Sequence, residues 1–216
     1  MFVAIGVAIV MGYLCGSVPV GYIVGRLYRG VDVREYGSRR TGATNVLRTL
    51  GPGAAVMVAL GDAVKGVIAV EIGQLATAPY GVEAQHGAIV CAALAALAGH
   101  NWSIFMRWRG GRGVLVSAGA LAVLFPPAFV VSAIVALVVI GLFRFVSLGS
   151  LVGAILAALL ILGAIVEGRE PPIYALFAVL GAAVIILQHR DNIERLRSGT
   201  ERKLGQQVRL PPTGTV

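Results

Sequence analysis

Seven apolar stretches dominate the chain, separated by short polar segments rich in glycine and arginine. They run roughly from Phe2 to Val24, Gly53 to Ile72, Gly87 to Phe105, Val114 to Phe125, Pro127 to Phe143, Ser147 to Val166 and Ile173 to Leu187. A helix needs about 20 apolar residues to cross the hydrocarbon core of a bilayer, with a range of about 17–25. The pattern predicts an all-α polytopic membrane protein with seven transmembrane helices. The fourth run is the short one; it reads either as a short or re-entrant helix or as one that continues with a kink past Pro126 and Pro127. It is counted here as a span. Small residues cluster in the later runs, with Gly153, Ala154, Ala157 and Ala158 in the sixth and Gly181, Ala182 and Ala183 in the seventh. Such residues let helix backbones approach closely in lipid.

The charges sort the runs into an orientation. Alternating seven spans places sixteen of the eighteen basic residues on one face, in the first, third and fifth loops and the C-terminal tail. The opposite face receives Arg169 with Glu71, Glu83, Glu167 and Glu170, and Lys65 falls inside the second run. By the positive-inside rule the N-terminus is outside and the C-terminus cytoplasmic. Omitting the fourth span would abolish the asymmetry. The chain is expected to form one membrane domain over residues 1–216, with a short flexible tail from about residue 205 that ends in Pro211-Pro212-Thr213-Gly214.

Composition agrees. Hydrophobic residues make up 57% and charged residues 13%, about half the charge of a soluble domain, which is about 25%. The net charge of +8 sits in loops between apolar runs, which points to anionic small molecules or lipid headgroups and away from nucleic acid. Cys15 and Cys91 both lie within apolar runs, so neither a disulfide framework nor a zinc site follows from them. The N-terminus is apolar from Phe2 without a basic leader, and reads as a first span and not as a cleaved signal.

Two loops on the basic face carry candidate chemistry. From Gly37 to Arg48, glycines Gly37 and Gly42 can bring backbone N–H groups close to an anion. Ser38, Thr41, Thr44 and Asn45 add short polar groups, and Arg48 a planar fork suited to phosphate. A solvated loop anchored to lipid headgroups is the alternative reading of the same residues. The second loop, Arg107-Trp108-Arg109-Gly110-Gly111-Arg112-Gly113, leads into the fourth run, where a helix N-terminus reinforces the arginine charge. Trp102 and Trp108 read as interface anchors. Asp62 and Lys65 share one helix face inside an apolar run, and either neutralise each other or line the site. His100 and His189 end the third and seventh runs on the basic face. The sequence contains no phosphate-binding nucleotide loop, nucleophile elbow or metal-ligand cluster, so the expected chemistry needs no enzyme nucleophile, no metal and no cofactor.

Taken in order, Gly16-Ser17-Val18-Pro19, the stretch from Gly37 to Val46, Gly99-His100, Gly110-Gly111-Arg112-Gly113-Val114, Val146-Ser147-Leu148 and His189-Arg190-Asp191-Asn192 resemble the bacterial acyl-phosphate:glycerol-3-phosphate acyltransferases, the PlsY family. The resemblance covers almost the whole chain. It implies a multi-pass enzyme of the bacterial cytoplasmic (inner) membrane with its active site on the cytoplasmic face. It would transfer a fatty acyl group from acyl phosphate to the 1-hydroxyl of glycerol 3-phosphate, giving lysophosphatidic acid and phosphate, the first step of phospholipid synthesis. The resemblance assigns Ser38, Thr44, Asn45 and Arg112, with the loop glycines Gly37, Gly42, Gly110, Gly111 and Gly113, to the acyl phosphate. It assigns Arg48, Ser147, His189 and Asn192 to glycerol 3-phosphate; Ser38, Arg112, His189 and Asn192 are the catalytic candidates. A substrate phosphate oxygen serves as base in the family's proposed mechanism, and His189 is the alternative. A monomer suffices for this chemistry.

Three features depart from the family pattern. Arg112 stands where lysine is usual, Arg39 and Arg40 where glycine and a small polar residue are usual, and Val116 where threonine is common. A small-anion transporter and an inactive lipid-binding relative are the competing readings.

Overall fold

The computed structural model describes residues 1–208, which form ten α-helices and three short 3-10 turns with no strand among them. The helices are α1 (Phe2–Ser17), α2 (Val20–Arg29), α3 (Ala43–Leu50), α4 (Pro52–Thr77), α5 (Val82–Asn101), α6 (Val114–Leu124), α7 (Pro126–Phe143), α8 (Val146–Val166), α9 (Tyr174–Gln188) and α10 (Arg190–Arg197). Five runs are long and apolar enough to cross a membrane: Phe2–Arg29, Pro52–Tyr80, Val82–Met106, Pro126–Phe143 and Val146–Val166. A sixth results if α9 and α10, bent by 60° at His189, count as one. Large apolar side chains such as Leu75, Leu142, Leu159 and Val166 are exposed on the outside of the bundle, a surface suited to lipid.

The first run is interrupted where the sequence pattern made it continuous. Pro19 has no N–H to donate and forces Val18 out of helical geometry, so α1 ends at Ser17. Unpaired carbonyls inside a bilayer are costly, and here buried side chains cover them. Lys65 Nζ donates to the carbonyls of Gly16 (3.2 Å) and Val18 (2.9 Å), and Ser103 Oγ donates to that of Ser17 (2.6 Å).

The fourth run also differs. α6 has 11 residues, about 16 Å of rise against a hydrocarbon core of about 30 Å. It does not continue through the prolines, because Phe125 leaves helical geometry and Pro126 opens α7 as a separate helix. Helices α1, α4, α5 and α6 pack backbone to backbone. A Cβ at Gly16 would collide with the Ala96 carbonyl, and one at Gly66 with that of Val116. Val116 itself is fully buried with Ala69 and Ala96, so the absence of a hydroxyl there suits its packing. A larger core, with Val90, Leu121, Ile161 and Phe177, fills the space between α4, α5 and α6–α9.

The four basic segments meet at one end of this bundle. Arg48 bonds the carbonyl of Arg202, Leu204 N–H donates to the Arg144 carbonyl (2.6 Å), and Arg112 Nε donates to that of Gln188 (3.3 Å). The tail is still bonded at Val208, whose N–H donates to the Arg48 carbonyl at 2.9 Å. Arg209 and the Pro211–Gly214 stretch lie outside the described residues.

Candidate functional site

The loop before α3 is built around one buried amide. Asn45 Nδ2 donates to the carbonyls of Val33 (2.8 Å), Tyr36 (3.2 Å) and Arg40 (2.9 Å), and its Oδ1 accepts the Ser38 N–H at 2.8 Å. Its amide is therefore occupied, and Asn45, expected to touch a ligand, shapes the loop that presents Ser38. Gly37 takes φ +59, and a Cβ there would strike Asn45 Oδ1. Arg39 takes φ +57 without being glycine. Gly42 is the N-cap of α3 and no side chain caps that helix, so the N–H groups of Ala43 and Thr44 start the helix without one.

In the second loop, Gly110 and Gly111 were expected to turn N–H groups toward an anion. Those groups instead donate to the carbonyls of Asn101 (3.1 Å) and His100 (3.0 Å). The two glycines allow close approach: a Cβ at Gly110 would clash with the His100 carbonyl, and one at Gly111 with His100 Nε2. The first turn of α6, which Gly113 (φ +78) opens, has no side-chain cap, so its N–H groups are the free backbone donors at this end. The Asn101 side-chain amide is buried without a partner among the described residues and lies beside Gly113.

Arg48, Arg112, Ser147, His189 and Asn192 gather around a residue that the motifs did not flag. Glu201, from the chain after α10, accepts hydrogen bonds from Ser147 Oγ (2.9 Å), Asn192 Nδ2 (2.7 Å) and Arg195 Nε (2.8 Å). Desolvation pushes its carboxyl up, but those three bonds outweigh it and hold the group below the usual carboxylate range. Arg195, read from sequence as an orientation marker, is thus part of the cluster. The amide oxygen of Asn192, Oδ1, is buried with no partner among the described residues.

The charges here are mainly positive; Arg48 and Glu201 are buried, and Arg40, Arg112 and Arg195 partly so. Desolvation lowers Arg48. It also brings Arg112 down to about 10, helped by Arg40 and Arg195 and opposed by Glu201; the guanidinium stays charged at neutral pH. His189, 2% exposed, is depressed to about 4, first by desolvation, with Arg112 and Arg40 adding to it against the hydrogen bond to Ile185. Its Nδ1 lies 2.8 Å from the Ile185 carbonyl, so Nδ1 carries the proton and Nε2 the lone pair.

Asp62 and Lys65 form a buried ion pair at 2.9 Å, and His100 Nδ1 lies 3.2 Å from Lys65 Nζ. The group sits beneath the second glycine loop, where Thr41, Ser103 and Gly110 complete a small polar pocket. The pair neutralises itself and, through His100, supports that loop. No group of histidine, cysteine or acidic side chains among the described residues is arranged to hold a metal ion.

Comparison with known proteins agrees with this geometry. The family model described as glycerol-3-phosphate acyltransferase matches residues 6–199. Glycerol-3-phosphate acyltransferase 3 of Dehalococcoides mccartyi is 44% identical, over 93% of this chain and 96% of that protein. Glycerol-3-phosphate acyltransferase 2 of Moorella thermoacetica is 44% identical, over 92% and 97%. Among solved structures, the glycerol 3-phosphate form of PlsY, an integral membrane glycerol 3-phosphate acyltransferase, superposes with a TM-score of 0.81 at 33% identity, covering 92% of this chain and 94% of that one. The lysophosphatidic acid form gives a TM-score of 0.79 over the same shares. Matched by that family model over most of its length and 44% identical to two of these proteins, the chain belongs to the glycerol-3-phosphate acyltransferase family of integral membrane enzymes.

Proposed function

We propose that the acyl donor is an acyl phosphate, and that both substrates place their phosphates in the arginine cluster at the basic end of the bundle. The observation that carries this reading is the convergence of Arg48, Arg112 and Arg195 with Ser147, His189 and Asn192 at the end of an apolar bundle. An acyl phosphate is a mixed anhydride with a good leaving group, so positioning and charge stabilisation can drive transfer without an acyl-enzyme. Arg112 and the first turn of α6 hold the donor phosphate, with Ser38 and the start of α3 beside them. Arg48, Ser147 and Asn192 hold glycerol 3-phosphate, with Asn192 Oδ1, which has no partner among the described residues, accepting from a glycerol hydroxyl.

The 1-hydroxyl oxygen attacks the acyl carbonyl carbon, the C–O bond to phosphate breaks, and inorganic phosphate leaves. The hydroxyl proton goes to a base. His189 Nε2 has the lone pair, but at a pKa of about 4 it is a weaker base than a phosphomonoester, whose second pKa is about 6. The substrate phosphate is therefore the favoured base, with His189 orienting the hydroxyl.

This reading includes a topology of seven crossings, with α6 as a short one, the N-terminus outside and the site cytoplasmic in a bacterial inner membrane. The hydrogen bonds that join all four basic segments support it, as does the one-sided charge. A monomer holds every residue used. A transporter would need a polar path to the far face, whereas the cavity leading away from the cluster is walled mostly by alanine, glycine and apolar side chains.

The test is a donor comparison in lipidic medium: labelled glycerol 3-phosphate with acyl phosphate, acyl-CoA or acyl carrier protein as sole donor. Labelled lysophosphatidic acid should form from acyl phosphate. Product from a thioester donor alone would overturn the proposed donor.

A further inference from the structure

The second glycine loop rests on the last turn of α5. Gly110 N–H donates to the Asn101 carbonyl (3.1 Å) and Gly111 N–H to that of His100 (3.0 Å), carbonyls that the end of a helix leaves open. These bonds draw the loop onto α5, and the His100 ring sets how near it comes, because a Cβ at Gly111 would strike its Nε2 edge. The other edge of the ring is fixed from α4 and α1. His100 Nδ1 lies 3.2 Å from Lys65 Nζ and 3.5 Å from Asp62 Oδ1. Lys65 Nζ in turn holds the carbonyls of Gly16 (3.2 Å) and Val18 (2.9 Å). All three side chains are buried.

A buried ionic cluster in an apolar bundle is costly, and apolar residues would join α1, α4 and α5 without it. What the cluster adds is a ring held in one place against the loop. Arg112 follows Gly111 directly, and α6 begins two residues after it, at Val114. We infer that His100 is a positioning residue for the acyl donor: anchored by Asp62 and Lys65, its Nε2 edge fixes the distance from α5 at which Arg112 and the first turn of α6 meet the donor phosphate. This rests on the donor site proposed above. Without that edge the loop settles toward α5, and a misplacement of about 1 Å costs about 100-fold in rate. The acceptor groups Arg48, Ser147 and Asn192 stand on α3, α8 and α10 and not on this loop, so acceptor binding is unaffected.

The test is a set of full-length variants assayed for lysophosphatidic acid with hexadecanoyl phosphate, donor and acceptor being varied separately. His100→Asn keeps an amide where Nδ1 faces Lys65 and Asp62, and removes the edge against Gly111. Its donor kcat/KM should fall by about 10–100-fold, with the KM for glycerol 3-phosphate unchanged. Its unfolding midpoint in detergent should stay within about 4 °C of the parent. His100→Gln, whose amide reaches the place of Nε2, should keep most of the donor kcat/KM. Gly111→Ala displaces the loop with the cluster intact and should impair the donor alone. Combined with His100→Asn it should regain transfer over either single variant, because the methyl group fills the space the ring edge leaves. Thermal stabilisation by inorganic phosphate reads the same loop without turnover, and should weaken in His100→Asn but persist in His100→Gln. The inference is overturned by equal losses for donor and acceptor, by losses that track the unfolding midpoint, by strict additivity of the pair, or by parent-like transfer from Gly111→Ala. Equal stabilisation of both His100 variants by phosphate would overturn it too. A parent that used only a thioester donor would count against the proposed donor, and the same variants assayed with that thioester would still decide the role of His100.

Discussion

Replacing Glu201 by glutamine keeps the shape of the side chain and removes the one negative charge among Arg48, Arg112 and Arg195. The carboxylate is 3% exposed on its side chain and accepts from Ser147, Asn192 and Arg195. Hydrogen bonds to a charged group contribute about 1.5–3 kcal/mol and neutral ones about 0.5–1.5. Neutralising the acceptor therefore weakens each of three bonds by about 1 kcal/mol, and the new amide N–H also faces one of the donors. The Arg195 share is smaller, because its side chain is 37% exposed and screened by solvent. The total is about 2–3 kcal/mol. For a chain of this size that lowers the unfolding midpoint by about 4–12 °C, measured by thermal unfolding in detergent at neutral pH. Glu201→Asp, which keeps the charge, should recover part of the loss. Turnover should fall as well, because Ser147 and Asn192 lose the anchor that aims them. A Glu201→Gln midpoint within about 2 °C of the parent would show that the carboxylate does not hold the cluster together.

Lys65→Met leaves the Asp62 carboxylate and the carbonyls of Gly16 and Val18 buried without their partner; it should cost about 3–5 kcal/mol. Adding Asp62→Asn should return part of that in a double-mutant cycle, and strict additivity would refute the coupling. Arg39→Gly removes a left-handed arginine and should stabilise by about 1 kcal/mol, checked by thermal unfolding. His189 sets an acid limit: the unfolded histidine takes a proton below about pH 6.5, while the folded one refuses it until about 4. Its contribution is thus complete above about 6.5 and is lost as pH falls toward 4, by up to about 3 kcal/mol. His189→Asn should flatten stability across that window, and an unchanged slope would assign it to another group.

Hydrophobic pattern carried most of the helix positions, because long apolar runs leave few other structures available in lipid. It failed where a short-range effect cuts a long run. The break at Val18–Pro19 was visible as a proline, but that it is tolerated depends on Lys65 and Ser103, 47 and 86 residues away. The motifs pointed to segments that the fold brings to one end of the bundle and were less informative about atoms. Asn45, Gly110 and Gly111 look like ligands in sequence because they flank polar loops, yet their groups are taken up by backbone partners. Glu201 sits in a basic tail with no motif of its own, and only folding brings it to Ser147 and Asn192. An acid among so many arginines was the available signal. Asp62 and Lys65 neutralise each other and also line the small polar pocket with His100, whose place beneath Gly111 no spacing rule encodes.

In the proposed mechanism, phosphate release depends on both substrates and on the charge at Arg112. The most direct measurement is inorganic phosphate released by the purified protein in lipidic medium, with hexadecanoyl phosphate, with and without glycerol 3-phosphate. The parent should release phosphate in step with lysophosphatidic acid and only when the acceptor is present. Arg112→Ala should stop release while the protein stays folded, and Arg112→Lys should retain part of it. No release above a protein-free blank, or parent-like release from Arg112→Ala, would contradict the account.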